Sequence, residues 1–183
     1  MVEPIGHLGM ALLWAAPAWL IWDGRVSLAF IGFTVVTAHL PDADLYLPEI
    51  PHHGVTHTLA FVTVFAVLVG AVVEYALKDR LKRQFLKERG YTASTGGLFL
   101  FVCGGLLLGG TSHIFADLLS APDIAAPLKP FWPVVDGPVV IDAVWYASPW
   151  WNEGLLAVAL LVHAALAYAD LAVEHPYVIR QET

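Results

Sequence analysis

The chain has 183 residues, of which 58% are hydrophobic and 14% charged, and its mean hydropathy is +0.67. Soluble domains carry about 25% charged residues, so this composition excludes an ordinary soluble domain and indicates a membrane protein. The net charge of −7 argues against nucleic-acid binding, because a phosphate backbone requires a basic surface. A single cysteine, Cys103, excludes a disulfide framework within the chain and any zinc site built on a Cys-x-x-Cys motif.

Apolar runs predict an all-α integral membrane protein with about five transmembrane helices in one domain, residues 1–183. A bilayer core about 30 Å thick requires roughly 20 apolar residues of helix. The runs cover residues 7–22, 26–40, 56–77, 96–120 and 152–173. The second run, with 15 residues, is the least suited to a full span. Within the fourth, Gly105 and Gly109 have the spacing that lets a membrane helix approach its neighbour closely.

Basic residues predict the orientation of the chain, because Lys and Arg are retained on the cytoplasmic side of a membrane. Six of the nine basic residues lie in the loop 78–95, and Arg25 and Arg180 fall on the same side. We therefore expect this loop and the C-terminus inside the cell and the N-terminus outside. The long segment 121–151, rich in Pro and Trp, is then an outer loop between the fourth and fifth spans. The basic loop could also bind anionic lipids.

The same topology places most ionisable residues of the spans at the outer membrane face. Such groups are costly at membrane depth and mark functional sites by default. His53 and His57 are four residues apart, as are His113 and Asp117, so each pair lies on one helix face if the helix extends that far. Imidazole and carboxylate without thiolate suit zinc, manganese or iron better than calcium or magnesium. We predict one or two metal ions, preferably zinc, with ligands drawn from His7, Asp42, Asp44, His52, His53, His57, His113 and Asp117.

His163 is interpreted differently from these residues. It lies near the middle of the fifth apolar run and has no partner at a metal-ligand spacing. We therefore predict that it packs or forms hydrogen bonds within the protein.

The candidate ligands occur in short motifs in a fixed order. An early histidine, His7, is followed by LPDAD, HHGVTH, SHIFAD and PLKPFWP. Over roughly residues 5–135 this order resembles the YdjM-like membrane-bound metal-dependent hydrolases. That family usually has an arginine where this chain has His53, so either His52 or His53 is the ligand and a possible phosphate-binding arginine is missing. The family is in turn similar to the superfamily of zinc-dependent phospholipases C and single-strand nucleases, which implies phosphoester hydrolysis.

Together these features predict a metal-dependent hydrolase of the cell membrane that acts on lipid-linked phosphoesters, with its site facing outside and membrane lipids as its partners. Asp42 or Asp44 is the candidate catalytic residue that orients the attacking water. Lys129 and Trp132 are candidates for substrate binding, although Lys129 could instead pair with Asp123 or Asp136. One alternative is a membrane protein in which a metal only joins the helices. A metal transporter is less favoured, because transporters bind their ions near the midplane.

Overall fold

The computed structural model describes residues 2–81, 86–87, 90–173 and 179–181, and this part of the chain is mostly helical. Within it, four helices are long and apolar enough to cross a membrane: Pro4–Ile21, Leu59–Leu81, Gly97–Ser120 and Pro149–Ala169. The helix of the second apolar run, Gly24–Thr37, has 14 residues, or about 21 Å of length. That is short of a bilayer core of about 30 Å. Length and composition therefore support four spans, and the fifth stays a prediction.

Pro17 divides the first span into α1 (Pro4–Ala15) and α2 (Ala18–Ile21). A proline has no N–H to donate and its ring crowds the preceding turn, and Ala16 N bonds to the carbonyl of Leu13. The carbonyl of Leu12 instead accepts a hydrogen bond of 2.9 Å from Nε2 of His163, in the last span. Nδ1 of the same ring accepts one of 2.7 Å from Trp19 Nε1. The prediction of a hydrogen-bonding His163 is confirmed, and the contact joins the first span to the last.

Two glycines bring three helices close together: α3 (Gly24–Thr37), α4 (Leu59–Val72) and α6 (Gly97–Ser120). A Cβ on Gly109 of α6 would lie 2.7 Å from the carbonyl oxygen of Thr34 and 2.8 Å from the nitrogen of Ala38. A Cβ on Gly110 would lie 2.7 Å from the side chain of Val62 in α4. The predicted close approach at the glycines of the fourth apolar run is confirmed. It brings the end of α3 and the beginning of α4 against the middle of α6.

The opposite end of the bundle is closed by Glu74. This residue lies in a π-helical turn, Val73–Leu77, that links α4 to the short α5 (Lys78–Leu81). Its buried carboxylate accepts hydrogen bonds from the backbone of Gly96, at 3.0 Å, and of Phe99, at 3.3 Å, where α6 begins. These two bonds satisfy donors that the first turn of a helix leaves without partners.

A two-stranded antiparallel sheet lies at this same end of the bundle. It pairs β1 (Tyr91–Ala93) with β2 (Ile179–Gln181). Residues 82–85 and 88–89 of the predicted cytoplasmic loop 78–95 lie outside the described residues. The cytoplasmic placement of this end stays a prediction.

The segment between α6 and α7 (Pro149–Ala169) folds over the other end of the bundle. The backbone of Leu128 pairs with that of Val139, and Leu59 N donates to the carbonyl of Pro130 at 2.9 Å. Ala143 N donates to the carbonyl of Leu119 at 2.8 Å. Most of the predicted outer loop 121–151 is therefore held against α4 and α6, and its last three residues begin α7. Its side of the membrane is a prediction.

Candidate metal centre

The eight predicted ligands lie in one cluster at the C-terminal end of α6. They come from α1, from the loop between α3 and α4, and from α6 itself. Groups of three ligand atoms lie within 4.8 Å of one another. The groups are His52, His53 and His57; His7, His113 and Asp117; Asp42, His57 and His113; and Asp42, Asp44 and His52.

α6 contributes the centre of the cluster. His113 and Asp117 are one helical turn apart and fully buried, with 3.1 Å between His113 Nε2 and Asp117 Oδ2. The ring of His7 stacks on that of His113, with centroids 4.0 Å apart and planes at 10°. Asp117 Oδ1 accepts a hydrogen bond of 3.1 Å from the backbone N–H of Val2 and lies 3.2 Å from His7 Nε2. The other oxygen of Asp117 is therefore the one turned toward the remaining histidines.

Asp42 reaches this centre from a 3-10 turn, Pro41–Tyr46, that begins with a proline shortly after α3. Its Oδ1 lies 3.3 Å from His113 Nε2 and 3.5 Å from His57 Nε2. Burial acts to raise the pKa of the Asp42 carboxyl, but the imidazoles of His113 and His57 outweigh burial and hold that pKa well below its usual range. Asp42 is thus a carboxylate in direct contact with two histidines.

His53 and His57 do not share a helix face, because α4 begins only at Leu59 and does not extend back to them. Thr58 caps that helix by accepting a hydrogen bond from Phe61 N. His57 ends a separate 3-10 turn, Val55–His57. His53 has a φ of 62°, in the left-handed region that a non-glycine residue seldom adopts. A reversal of the chain, rather than helical spacing, brings these two histidines together.

Asp44 lies behind His57 and is almost completely buried. Its Oδ2 lies 3.1 Å from His57 Nδ1 and accepts a hydrogen bond of 2.8 Å from Thr56 Oγ1, while its Oδ1 lies 3.0 Å from His52 Nδ1. Nε2 of His57 consequently faces Asp42 and, at 3.8 Å, Asp117 Oδ2. Carboxylates that hold a metal-binding imidazole in this way fix its tautomer and orientation. Thr56 was not among the predicted site residues, although its position beside His57 in HHGVTH was a usable signal.

His53 is held by a backbone carbonyl of the segment between α6 and α7. Its Nδ1 donates a hydrogen bond of 2.6 Å to Ala126 O, which leaves the lone pair on Nε2, 3.8 Å from Asp117 Oδ2. Burial lowers the pKa of His53 to about 4, so its ring is neutral near pH 7. His52 is partly exposed and contacts Asp44 instead. The geometry therefore favours His53 over His52 as the residue that faces Asp117.

The donor atoms that face inward fit a metal ion. Buried polar atoms are nearly always hydrogen-bonded in folded proteins, yet several in this cluster lack a partner of hydrogen-bonding geometry among the described residues. They include the Nε2 atoms of His7, His53, His57 and His113 and the Oδ1 atom of Asp42. Imidazole nitrogen and carboxylate oxygen are the ligands that zinc and other divalent transition metals take in proteins. The cluster could therefore hold such an ion.

A cavity of about 260 Å³ opens beside the cluster and shares one residue, His53, with it. Lys129 and Trp132, the predicted substrate-binding residues, both line it. Lys129 Nζ lies 2.7 Å from Asp136 Oδ1, so the predicted alternative of pairing with Asp136 is realised, while Asp123 accepts a hydrogen bond from Tyr146 N. The complete lining is His53, Gly54, Val55, Thr58, Lys129, Trp132 and Asp136.

Comparison with known proteins identifies the family. No curated protein and no solved structure matches the chain. The family model of the YdjM inner membrane protein matches residues 1–175, nearly the whole length. The family description agrees with the four apolar helices, which makes this a multi-pass membrane protein. The chain belongs to the YdjM inner membrane protein family.

Proposed function

We propose that the protein is a metal-dependent hydrolase of lipid-linked phosphoesters. The observation that carries this proposal is that one residue, His53, belongs to the buried cluster and also lines the neighbouring cavity. A metal that only joins helices needs a closed set of ligands, whereas a catalytic metal keeps a position open to substrate. A cavity that reaches a ligand supplies the space for that position.

Five side chains would hold the metal, because their inward-facing nitrogen and oxygen atoms lie around a common centre. A sixth, His7, stacks on His113 and could complete the set. Zinc is the preferred ion, with manganese or iron as alternatives for the same donors. When bound, the ion would polarise a phosphoryl oxygen and lower the pKa of a coordinated water toward neutrality. The five are His53, His57, His113, Asp42 and Asp117.

The two loop aspartates have different tasks in this proposal. Asp44 is a positioning residue, since both of its oxygens contact neighbouring side chains, Thr56 and His57 on one and His52 on the other. Asp42 is the catalytic residue, because its Oδ1 faces the cluster and its side chain is 18% exposed. Its carboxylate would accept a hydrogen bond from the attacking water and orient it. The water oxygen then bonds to phosphorus, the ester P–O bond breaks, and the water's proton reaches the leaving oxygen.

Lys129 and Trp132 would hold the substrate in the cavity. The ammonium of Lys129 is half exposed and is kept over the cavity by Asp136. It can turn to a substrate phosphate, since an exposed ion pair is worth about 1 kcal/mol or less. The ring of Trp132 lines the same cavity and would contact the adjoining part of the substrate. By the charge distribution, this end of the molecule faces outside the cell.

Activity of the purified full-length protein tests the proposal. The protein should be loaded with zinc, manganese or iron in turn, reconstituted in bilayers and assayed on phosphomonoesters and phosphodiesters with and without a lipid chain. We expect hydrolysis that a chelator removes and one metal restores best. Bound metal without turnover of any phosphoester would contradict a hydrolase and favour a metal that only joins the helices.

A further inference from the structure

The cavity beside the cluster continues into an apolar groove on α4. The two spaces share three residues: Val55, Thr58 and Trp132. From there the groove follows the helix to Leu68, a distance of about 15 Å from Thr58. Its lining is Val55, Thr58, Ala60, Phe61, Val64, Phe65, Leu68 and Trp132.

The groove lies on the face of α4 that is turned away from α6. Val62, Ala66 and Gly70 form the opposite, buried face, and a Cβ on Gly70 would lie 2.8 Å from the side chain of Cys103 in α6. The groove residues follow the helical spacing of one stripe. Val64 and Leu68 are 58% and 60% exposed. Because the helix Leu59–Leu81, of which α4 is the first part, is long and apolar enough to cross the membrane, this stripe would face lipid.

The rings of Phe61 and Phe65 give the groove a flat wall. Their planes are within 12° of parallel and their centroids are 5.9 Å apart. Trp132 lies at the junction between groove and cavity, because it lines both. The cavity that contains Lys129 and the apolar groove on α4 therefore adjoin each other at Trp132.

We infer that this groove binds the hydrocarbon chain of the substrate while its phosphoester lies in the cavity; the inference rests on the proposed function. The ligand class is an amphiphile in which a phosphoester is joined to one linear hydrocarbon chain. Lipid tails are as apolar as the groove, so transfer from the bilayer adds little hydrophobic free energy. The groove acts by alignment: a chain held along α4 places its phosphoester beside His53, and such positioning accelerates reactions.

A chain-length series tests the alignment. Methyl 4-nitrophenyl phosphate and hexadecyl 4-nitrophenyl phosphate carry the same reacting group and differ only in the chain. In the metal-loaded protein in bilayers, Leu68→Trp should fill the groove and lower the ratio of kcat/KM for the hexadecyl to the methyl ester about tenfold. Val72→Trp is the matched control, because Val72 is an exposed residue of the same helix beyond the groove; its ratio should equal that of the unchanged protein. Equal ratios in all three proteins would overturn the inference.

Photo-crosslinking gives a readout that does not depend on turnover. Hexadecyl phosphate with a diazirine at mid-chain should label residues 59–68 of the unchanged protein, and Leu68→Trp should reduce that labelling. Excess unlabelled hexadecyl phosphate should compete for the site and excess hexadecanol should not. Labelling spread evenly over α4 and α7, or displaced equally by hexadecanol, would overturn the inference that the groove binds the hydrocarbon chain. If neither ester is hydrolysed but labelling is confined to 59–68, the hydrolase proposal fails and the binding groove stands.

Discussion

His57 Nδ1 lies 3.1 Å from Asp44 Oδ2, and this contact turns the opposite ring nitrogen, Nε2, toward Asp42 and Asp117. Two aspartates only one residue apart in LPDAD are thereby separated in role. Asp42 faces the inward-facing Nε2 atoms of His57 and His113. Asp44 contacts the outward-facing nitrogen of His57, Nδ1. The difference between the two carboxylates is open to measurement.

Removal of the Asp44 carboxylate should weaken metal binding without abolishing it. Asp44→Ala is expected to reduce zinc affinity about 10- to 100-fold, the usual effect of losing a residue that orients a ligand. Asp42→Ala should cost more, because it removes a ligand. Competition with a chelator of known affinity measures both, with Asp79→Ala, an exposed site in α5 at the other end of the bundle, as control. Equal losses for the two variants would make Asp44 a ligand rather than a positioning residue.

Asp117→Asn should abolish metal binding and leave the fold intact. The amide oxygen can still accept the hydrogen bond from Val2 N–H, so the packing of the helices should persist. The lost negative charge should abolish zinc retention and any hydrolysis. Because bound ligand stabilises the folded state, the variant should melt in detergent at the temperature of the chelator-stripped unchanged protein. A melting temperature far below that value would mean that Asp117 has a structural role beyond metal binding.

Two glycines of α6 offer a matched pair for the helix contact. Gly109→Ala places a methyl group within 2.8 Å of the backbone of α3 and should force the helices apart. Overpacking of this kind costs about 1–3 kcal/mol. Gly104→Ala is the control, because its methyl group would meet only the ring of Phe30, at 3.6 Å, an ordinary contact. In detergent, the melting temperature of Gly109→Ala should be well below that of Gly104→Ala. Equal melting temperatures would argue against the close contact.

The predicted orientation can be measured with cysteine labelling. In a Cys103→Ala background, an impermeant thiol reagent should label Asp136→Cys in intact cells and should label Asp79→Cys only after the membrane is opened. The reason is the distribution of basic residues, eight of which fall on the side of the loop 78–95. Both positions are exposed in the structure, so reactivity reports the side of the membrane. Labelling of position 79 from outside would reverse the orientation and move the cluster to the cytoplasmic face.

Much of the architecture was predictable because membrane helices leave a strong compositional signal. The long apolar runs predicted the four membrane-length helices, and the glycine spacing predicted that α6 approaches a neighbouring helix closely; the structure shows that this neighbour is α3. The ends of the helices were predicted less accurately, because they depend on local capping residues. Thr58 begins α4 at Leu59, three residues later than the apolar run suggests, and thereby leaves His57 in its own turn.

The candidate ligands were predictable because few ionisable residues occur in such an apolar chain, and those that do are conspicuous. Their orientation was not predictable. His53 is oriented by the backbone carbonyl of Ala126, and Asp117 accepts a hydrogen bond from the backbone N–H of Val2. Every residue type has these backbone groups, so the sequence does not indicate such contacts. The choice between His52 and His53 likewise depended on a left-handed turn that sequence spacing does not show.

The hydrogen bond from Val2 to Asp117 joins positions 115 residues apart in the chain. Val2 precedes the first span and His7 lies in its first turn, whereas Asp117 lies near the end of a much later span, so the cluster exists only after the intervening helices have inserted and packed. Metal binding of this kind is coupled to folding. During synthesis an ion held by this cluster would therefore be acquired late, once α6 is in the membrane, and metal occupancy would report completed assembly of the protein.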